Sequence, residues 1–458
     1  MSRHLTTRAG SEREEYGLVA SSAGVSEYCA KAVQTTSSID DLIGYGRILI
    51  VGVRAAGDLA RAEEIGAFVE RRVAALRNGA EVGPGIWIRP GQLALHRGIT
   101  QTLMGEFATA MTSYRRAWTK RGEPPRLHFA GAEAAGNSAM LAAVEGHFEV
   151  AETWLGRLGQ YQDREGWASH MTYLGEYIAR GILAADALDL PAARRAAELA
   201  GPATQPVELW PFLAVQETAV ELVLGNPQRA YAALRAAAFT HDHDVSHSAI
   251  CGGILLRALL DCLVALGEGN RVLAAAEESG LVRALVPMAR VHLLSGHPEE
   301  ALRLADSAAR RGDLPVRDLR ELLLLRAVAL LRCGDEDRAG EAFGSFSRLD
   351  DRFCAAMRAR VPSQEYARLC ELCGPAPPAP GDPMNRSAPI RMEVVHLTRT
   401  ELLVLRELTT GQTLAKVAGT TFTSVNTIKT HVRSIYRKLG VGSRAEAIAR
   451  ARELGLLK

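Results

Sequence analysis

The chain has 458 residues, 47% of them hydrophobic, and a net charge of +2. That length exceeds one ordinary core and calls for several domains or a repeat array. No run of about 18 uncharged apolar residues occurs, so no helical membrane span is expected.

The opening residues, MSRHLTTRAGSEREEYG, lack the apolar core of a signal peptide, and a cytoplasmic protein is expected. Residues 1–38 are polar and rich in serine and threonine, so they are expected to be poorly ordered. The seven cysteines are scattered and odd in number, which fits reduced thiols better than a disulfide framework.

Between residues 39 and 373 one signal recurs, a turn glycine followed five residues later by alanine. The pairs are Gly57 and Ala62, Gly105 and Ala110, Gly146 and Ala151, Gly225 and Ala230, Gly296 and Ala301, Gly334 and Ala339. Leu188 stands in the glycine position ahead of Ala193, and the stretch near Gly267 is a degenerate copy. The spacing predicts a stack of helical hairpins. Glycine ends one helix in a left-handed conformation, and the small alanine lets the next helix approach closely. A unit of roughly 40 residues cannot bury its apolar face alone, so neighbours must stack into an α-solenoid. The stretch GEFATAMTSYRRAW resembles the second helix of tetratricopeptide repeats. That resemblance implies a concave surface for a protein or small-molecule effector.

Three motifs in this region invite other readings. RILIVGVRAAGD, residues 47–58, has the look of a dinucleotide-binding strand and turn, but Arg54 sits where the backbone must approach a pyrophosphate. His243 and His247 are four apart and could share a helix face as a metal pair; a solvated loop with Asp242 and Asp244 is the preferred reading. Cys370 and Cys373 form one CxxC without two further ligands in sequence. No P-loop and no nucleophile–base constellation is found, so neither enzymatic activity, nor a metal, nor a cofactor is expected.

Residues 374–390, beginning GPAPPAPGDP, read as a semi-rigid linker. Beyond them the charge changes sign. Residues 391–458 hold 12 Lys+Arg and 5 Asp+Glu, net +7, which leaves −5 for residues 1–390. A basic segment behind an acidic body points to a polyanion as its partner.

That segment reads as four short helices. Thr398-Arg399-Thr400-Glu401 is a capping box; Leu402, Leu405 and Leu408 give the first helix its core face. A second helix covers about 414–418. Ser424 caps a third, from Val425 to Leu439, in which Val425, Ile428, Val432 and Ile435 form an apolar stripe. Ser443-Arg444-Ala445-Glu446 is a second capping box and starts the fourth. Helix, turn and basic helix make the plan of a major-groove reader.

Residues 396–458 resemble the LuxR-type helix-turn-helix. The matching residues include Thr400-Glu401, Gly411, Val417-Ala418, Asn426 through His431, Ile435 through Leu439 and Ser443 through Glu446. The resemblance implies base contacts from Asn426, Lys429, Thr430 and Arg433. It implies backbone contacts from Ser424, Thr427, His431, Arg437 and Lys438, and dimerisation through Ala445, Ile448, Ala449 and Arg452. The sequence departs from the pattern in the second helix, where Lys416, Gly419, Thr420 and Thr421 replace better helix formers and a buried leucine.

Repeats joined to such a domain resemble the C-terminal part of large LuxR-family regulators of the MalT type, without the ATPase that those carry ahead of the repeats. The expected architecture is therefore all-α: a repeat solenoid over 39–373, a linker, and the DNA-binding domain over 391–458. The expected function is a nucleoid-associated transcriptional regulator that binds double-stranded promoter DNA as a homodimer, with RNA polymerase as a candidate further partner. The alternative is a protein-interaction scaffold with weak DNA binding.

Overall fold

The computed structural model describes residues 22–77, 89–122, 127–161, 169–245, 250–311, 313–349, 352–373, 392–395 and 397–457. Among these all regular structure is helical, and no helix is long and apolar enough to cross a membrane. The fold divides into two compact units. The first takes residues 1–143, 149–179 and 250–252, and the second takes 144–148, 180–249 and 253–458.

Helix α1 (Ser22–Thr35) precedes the repeats. It overturns the expectation of disorder for its part of the N-terminal segment. Cys29 and Val33 are buried in one core with Leu42, Ile43 and Ile50, and that apolar contact outweighs a composition that looked too polar to fold. Residues 1–21 lie outside the described residues.

Next in the chain come helical hairpins. They are α2 (Ile39–Ala55) with α3 (Leu59–Arg77), α4 (Arg89–Met104) with α5 (Phe107–Thr119), α6 (Phe129–Glu145) with α7 (Phe148–Arg157), and α8 (Ser169–Asp186) with α9 (Leu190–Ala200). The series continues with α10 (Trp210–Val223) and α11 (Pro227–Thr240), α12 (Ile254–Ala265) and α13 (Gly269–Ser279), α14 (Leu285–Leu294) and α15 (Pro298–Ala309), then α16 (Val316–Arg332) and α17 (Glu336–Ser347). Helices α18 (Ala355–Arg358) and α19 (Ser363–Cys373) complete it.

Each hairpin turns at an anchor residue. Gly57, Gly105, Gly146, Gly225, Gly267, Gly296 and Gly334 all have φ between 79° and 87°. Leu188, in the glycine position, adopts φ 58°. The turn imposes its left-handed conformation even where the residue has a Cβ, at a cost of about 1–2 kcal/mol. The next residue then donates its N–H to the carbonyl five positions earlier: Glu106 to Gln101, Asp189 to Ala184, Asn226 to Glu221, Asp335 to Leu330. This bond satisfies a carbonyl the helix end leaves open. The alanines five residues on, from Ala62 to Ala339, are buried.

The three tempting motifs resolve in the same terms. Residues 47–55 belong to α2, not to a strand, and the buried Arg54 donates to His96 O at 2.9 Å and Thr100 Oγ1 at 3.1 Å. His241 stacks on Trp210, centroids 4.5 Å apart, and makes a 3.0 Å contact with Ala203 O; His247 lies outside the described residues. Cys373 donates to Gly340 O at 3.2 Å.

The second unit carries a buried ionic network. Arg257 bonds Asp261, Asp318 and Glu321, and Arg290 bonds Asp261 and Glu321. Taking these charges out of water costs much of what their mutual attraction returns, so the network ties α12, α14 and α16 together while adding little net stability.

The C-terminal helices are α20 (Arg399–Thr409), α21 (Leu414–Thr420), α22 (Val425–Leu439) and α23 (Arg444–Glu453). They surround a core of their own, with Val404, Leu405, Leu408, Val417, Ile428, Ile435 and Ala447 fully or nearly fully buried. The linker, 374–390, lies outside the described residues. The short segment 392–395, between the linker and α20, is docked on the repeats. Met392 N donates to Leu294 O at 3.0 Å, and Val395 N donates to the buried Asn270 Oδ1 at 3.0 Å. A Cβ at Gly269 would collide with Met392 Sδ and Val394 Cγ2, so α13 offers glycine where the segment passes closest. Asn270→Ala leaves the Val395 amide buried without an acceptor, a loss of about 1–3 kcal/mol. We expect that amide to exchange with deuterium roughly ten times faster or more in the variant; unchanged protection would mean that Asn270 does not hold the segment.

Candidate nucleic-acid interface

The interface is built on helix caps, one of them at α21, where Thr413 Oγ1 accepts the Lys416 N–H at 3.4 Å. Thr398 Oγ1 accepts the Glu401 N–H at 3.2 Å while Glu401 Oε2 accepts the Thr398 N–H at 2.7 Å, a complete capping box for α20. Ser424 Oγ accepts the Thr427 N–H at 3.1 Å at the start of α22, which ends at Gly440 with φ 68°. Ser443 caps α23 by accepting from Glu446 N, but the Glu446 carboxylate returns to Gly442 N at 2.9 Å.

Glu401 does more than cap. Its carboxylate is buried and also accepts from Ser434 Oγ at 2.7 Å and Lys438 Nζ at 2.6 Å. One side chain thus joins the start of α20 to the last turns of α22. Burial alone would raise its pKa; the Lys438, Ser434 and Thr398 hydrogen bonds outweigh that and bring it down to about 2. At the other end, Arg444 donates to Leu408 O and Gln412 O at 2.5–2.9 Å, tying α23 to the close of α20.

Helix α22 turns about 100° per residue, and its sequence sorts by that angle. Ile428, Val432, Ile435 and Leu439 are buried against the core. Asn426, Lys429, Thr430, Arg433 and Arg437 share the opposite face, and all five are exposed. Thr430 Oγ1 donates back to Asn426 O at 3.1 Å, so its methyl and the lone pairs of its oxygen are left for a partner. Val425 corrects the stripe: it is 38% exposed, because it opens the helix one turn ahead of Ile428.

The flank differs from the front. Ser424 and Thr427 are exposed, but their hydroxyls engage each other at 2.9 Å. His431 is half-buried, and Lys438 is half-buried against Glu401. The residues expected at the phosphates are therefore not equivalent: Arg437 is open, whereas Lys438 is already committed to holding the domain together. Ala445, Ala449 and Arg452 are exposed on α23 and Ile448 is half-buried.

Two features were not evident in sequence. Glu401 as a junction needs Lys438, 37 residues away. Phe422, in the turn before α22, is 97% exposed at φ 52°; an aromatic in that conformation is uncommon, and its apolar ring stands at the same end as Ser424.

Helix α21 runs two residues further than expected, to Thr420. Thr420 is exposed and Thr421 half-buried, and both hydroxyls donate to Val417 O, at 2.9 and 2.8 Å. Such back-bonding weakens a helix end. Replacing the pair by Arg-Leu raises helix propensity and buries more apolar surface beside the core, about 1–2 kcal/mol together. A higher melting temperature of the C-terminal domain is expected; an unchanged one would place residue 421 outside the packing.

Residues 395–451 match the family described as bacterial regulatory proteins, luxR family. A probable transcriptional regulatory protein NarL of Mycobacterium tuberculosis is 36% identical over 77 residues, 17% of this chain and 34% of that protein. An HTH-type transcriptional regulator MalT of Serratia proteamaculans is 41% identical over 58 residues, 13% of this chain and 6% of that protein. The chain thus spans about a third of the NarL proteins and a small part of MalT. With its caps, its own apolar core and its exposed basic helix, the C-terminal domain is a LuxR-family helix-turn-helix.

Proposed function

We propose that this protein is a transcriptional regulator whose α22 enters the DNA major groove while its repeat domain receives an effector. One observation carries the reading: a helix with one face fully packed presents Asn426, Lys429, Thr430, Arg433 and Arg437 together on the other. Lysine and arginine donate to guanine O6 and N7, asparagine pairs with adenine, and a threonine methyl meets thymine. Arg437, with Ser424, Thr427 and His431, lies toward the phosphates and adds sequence-independent attraction. Lys438 reaches DNA only by leaving Glu401, so it contributes less than its neighbours. A second copy joins through Ala445, Ile448, Ala449 and Arg452, which sets the half-site spacing.

The test is a gel shift of the full chain with DNA from upstream of its neighbouring genes, in moderate salt with competitor. Retarded complexes that resist competitor support the reading. Binding to no fragment beyond the level of competitor would favour a protein-interaction scaffold instead.

A further inference from the structure

Beside the ionic network of the second unit lies a cleft of about 100 Å³. Its apolar wall comes from four helices, with Leu222 on α10, Val264 on α12, Leu293 and Leu294 on α14, and Leu325 and Val328 on α16. Its polar side carries Arg290, Arg332 and Arg360 against one carboxylate, Asp261.

These arginines differ in how far the protein satisfies them. Arg290 donates from Nε to Glu321 at 2.6 Å and from Nη1 to Asp261 at 2.8 Å. Arg332 forms a two-pronged pair with Glu365, at 2.7 and 3.1 Å. Arg360 has one 3.2 Å bond, to the same Glu321 oxygen that already serves Arg290. A guanidinium has five N–H donors in a rigid fork, and the side chain of Arg360 remains 27% exposed. Burial and the neighbouring Arg290 both act against its charge, so its positive charge is the one least compensated in the cluster.

We infer that this cleft binds a small apolar carboxylate, its acid group paired with Arg360 and its hydrocarbon part against Val264, Leu293 and Val328. The fork geometry favours a planar, two-oxygen anion. The cleft is smaller than the roughly 150 Å³ cavity that accepts the six carbons of benzene, so a tail of fewer than six carbons is seated. The inference rests on reading the repeat domain as a sensor, and the site adjoins the reader: Leu294, on its wall, accepts the Met392 N–H.

Calorimetry of the full chain with butanoate, hexanoate and hexanamide tests it. Hexanoate is expected to bind, hexanamide at least tenfold more weakly, and Arg360→Ala to lose hexanoate binding by at least tenfold. Ala265→Leu, which adds bulk at a half-buried position of the cleft wall and leaves Arg360 in place, is expected to abolish binding with the melting temperature maintained. No binding of either acid, equal binding of the amide, or unchanged binding by both variants overturns the site. If hexanoate binds as expected and DNA affinity does not respond to it, the site stands and the sensing role falls.

Discussion

Glu401→Gln destabilises the C-terminal domain by about 1–3 kcal/mol at neutral pH, because the amide keeps the shape but loses charge-assisted bonds from Lys438 and Thr398. A domain of this size has only about 3–5 kcal/mol to lose, so the effect on the folded population is large. The pH dependence has a definite sign. The Glu401 pKa falls from the usual 4.5 to about 2 on folding. Its contribution is therefore fully present above pH 4.5 and is lost as the pH falls from 4.5 toward 2. In the wild-type fragment 391–458 the melting temperature drops across that window, and in Glu401→Gln the drop is smaller. An equal drop in both would show that other carboxylates govern acid unfolding. Lys438→Met is the companion variant: it removes the same bond from the other side and lowers stability without shrinking the acid response to the same degree, since Ser434 and Thr398 still hold the carboxylate.

The parts of the fold that could be read from sequence are those fixed by local chemistry. Ser424 and Gly440 set the ends of α22, one through a side-chain cap and the other through its left-handed φ, and both signals lie within the helix's own stretch of chain. The hairpin anchors are of the same kind. Leu188 was legible because its neighbours kept the register, and the backbone then adopted φ 58° without glycine's help. What could not be read depends on partners far apart in sequence. Asn270 and Val395 are 125 residues apart, and no local pattern in either announces the bond. The same holds for the charge network, where Arg257 pairs with Asp318 and Glu321 more than 60 residues away. Composition misled in one place: a serine-rich segment looked unable to fold, yet Cys29 and Val33 bury in the core of α2 and α3, Tyr28 meets Tyr45 edge to face, and Arg72 donates to Val33 O and Thr36 O. The front of α22 was legible as a face, since angle alone sorts it. The commitment of Lys438 was not, because it turns on where α20 lies.

Lys429→Ala and Arg437→Ala are expected to weaken DNA binding in two distinct ways. Both side chains are exposed on the front of α22, eight residues and about 12 Å of helix apart. Lys429 lies in the N-terminal half, among Asn426, Thr430 and Arg433, where a helix entering the major groove brings side chains to base edges. Removing it costs about 1–3 kcal/mol and relaxes preference at one base pair. Arg437 lies in the last turn, beyond that group, where a helix read as entering the groove by its N-terminal half would leave the groove floor. Its loss weakens every sequence alike and lowers the salt dependence of log K by about one. Arg433, between them on the same face, is expected to behave as Lys429 does. Lys438→Ala is the internal control: its ammonium is held by Glu401, so its loss appears first as a lower melting temperature and only then as weaker binding. Binding-site selection and a salt titration on the four variants separate these outcomes. If Arg437→Ala alters the selected bases while Lys429→Ala and Arg433→Ala leave them unchanged, the helix lies in the groove the other way round, with its C-terminal turns at the base edges.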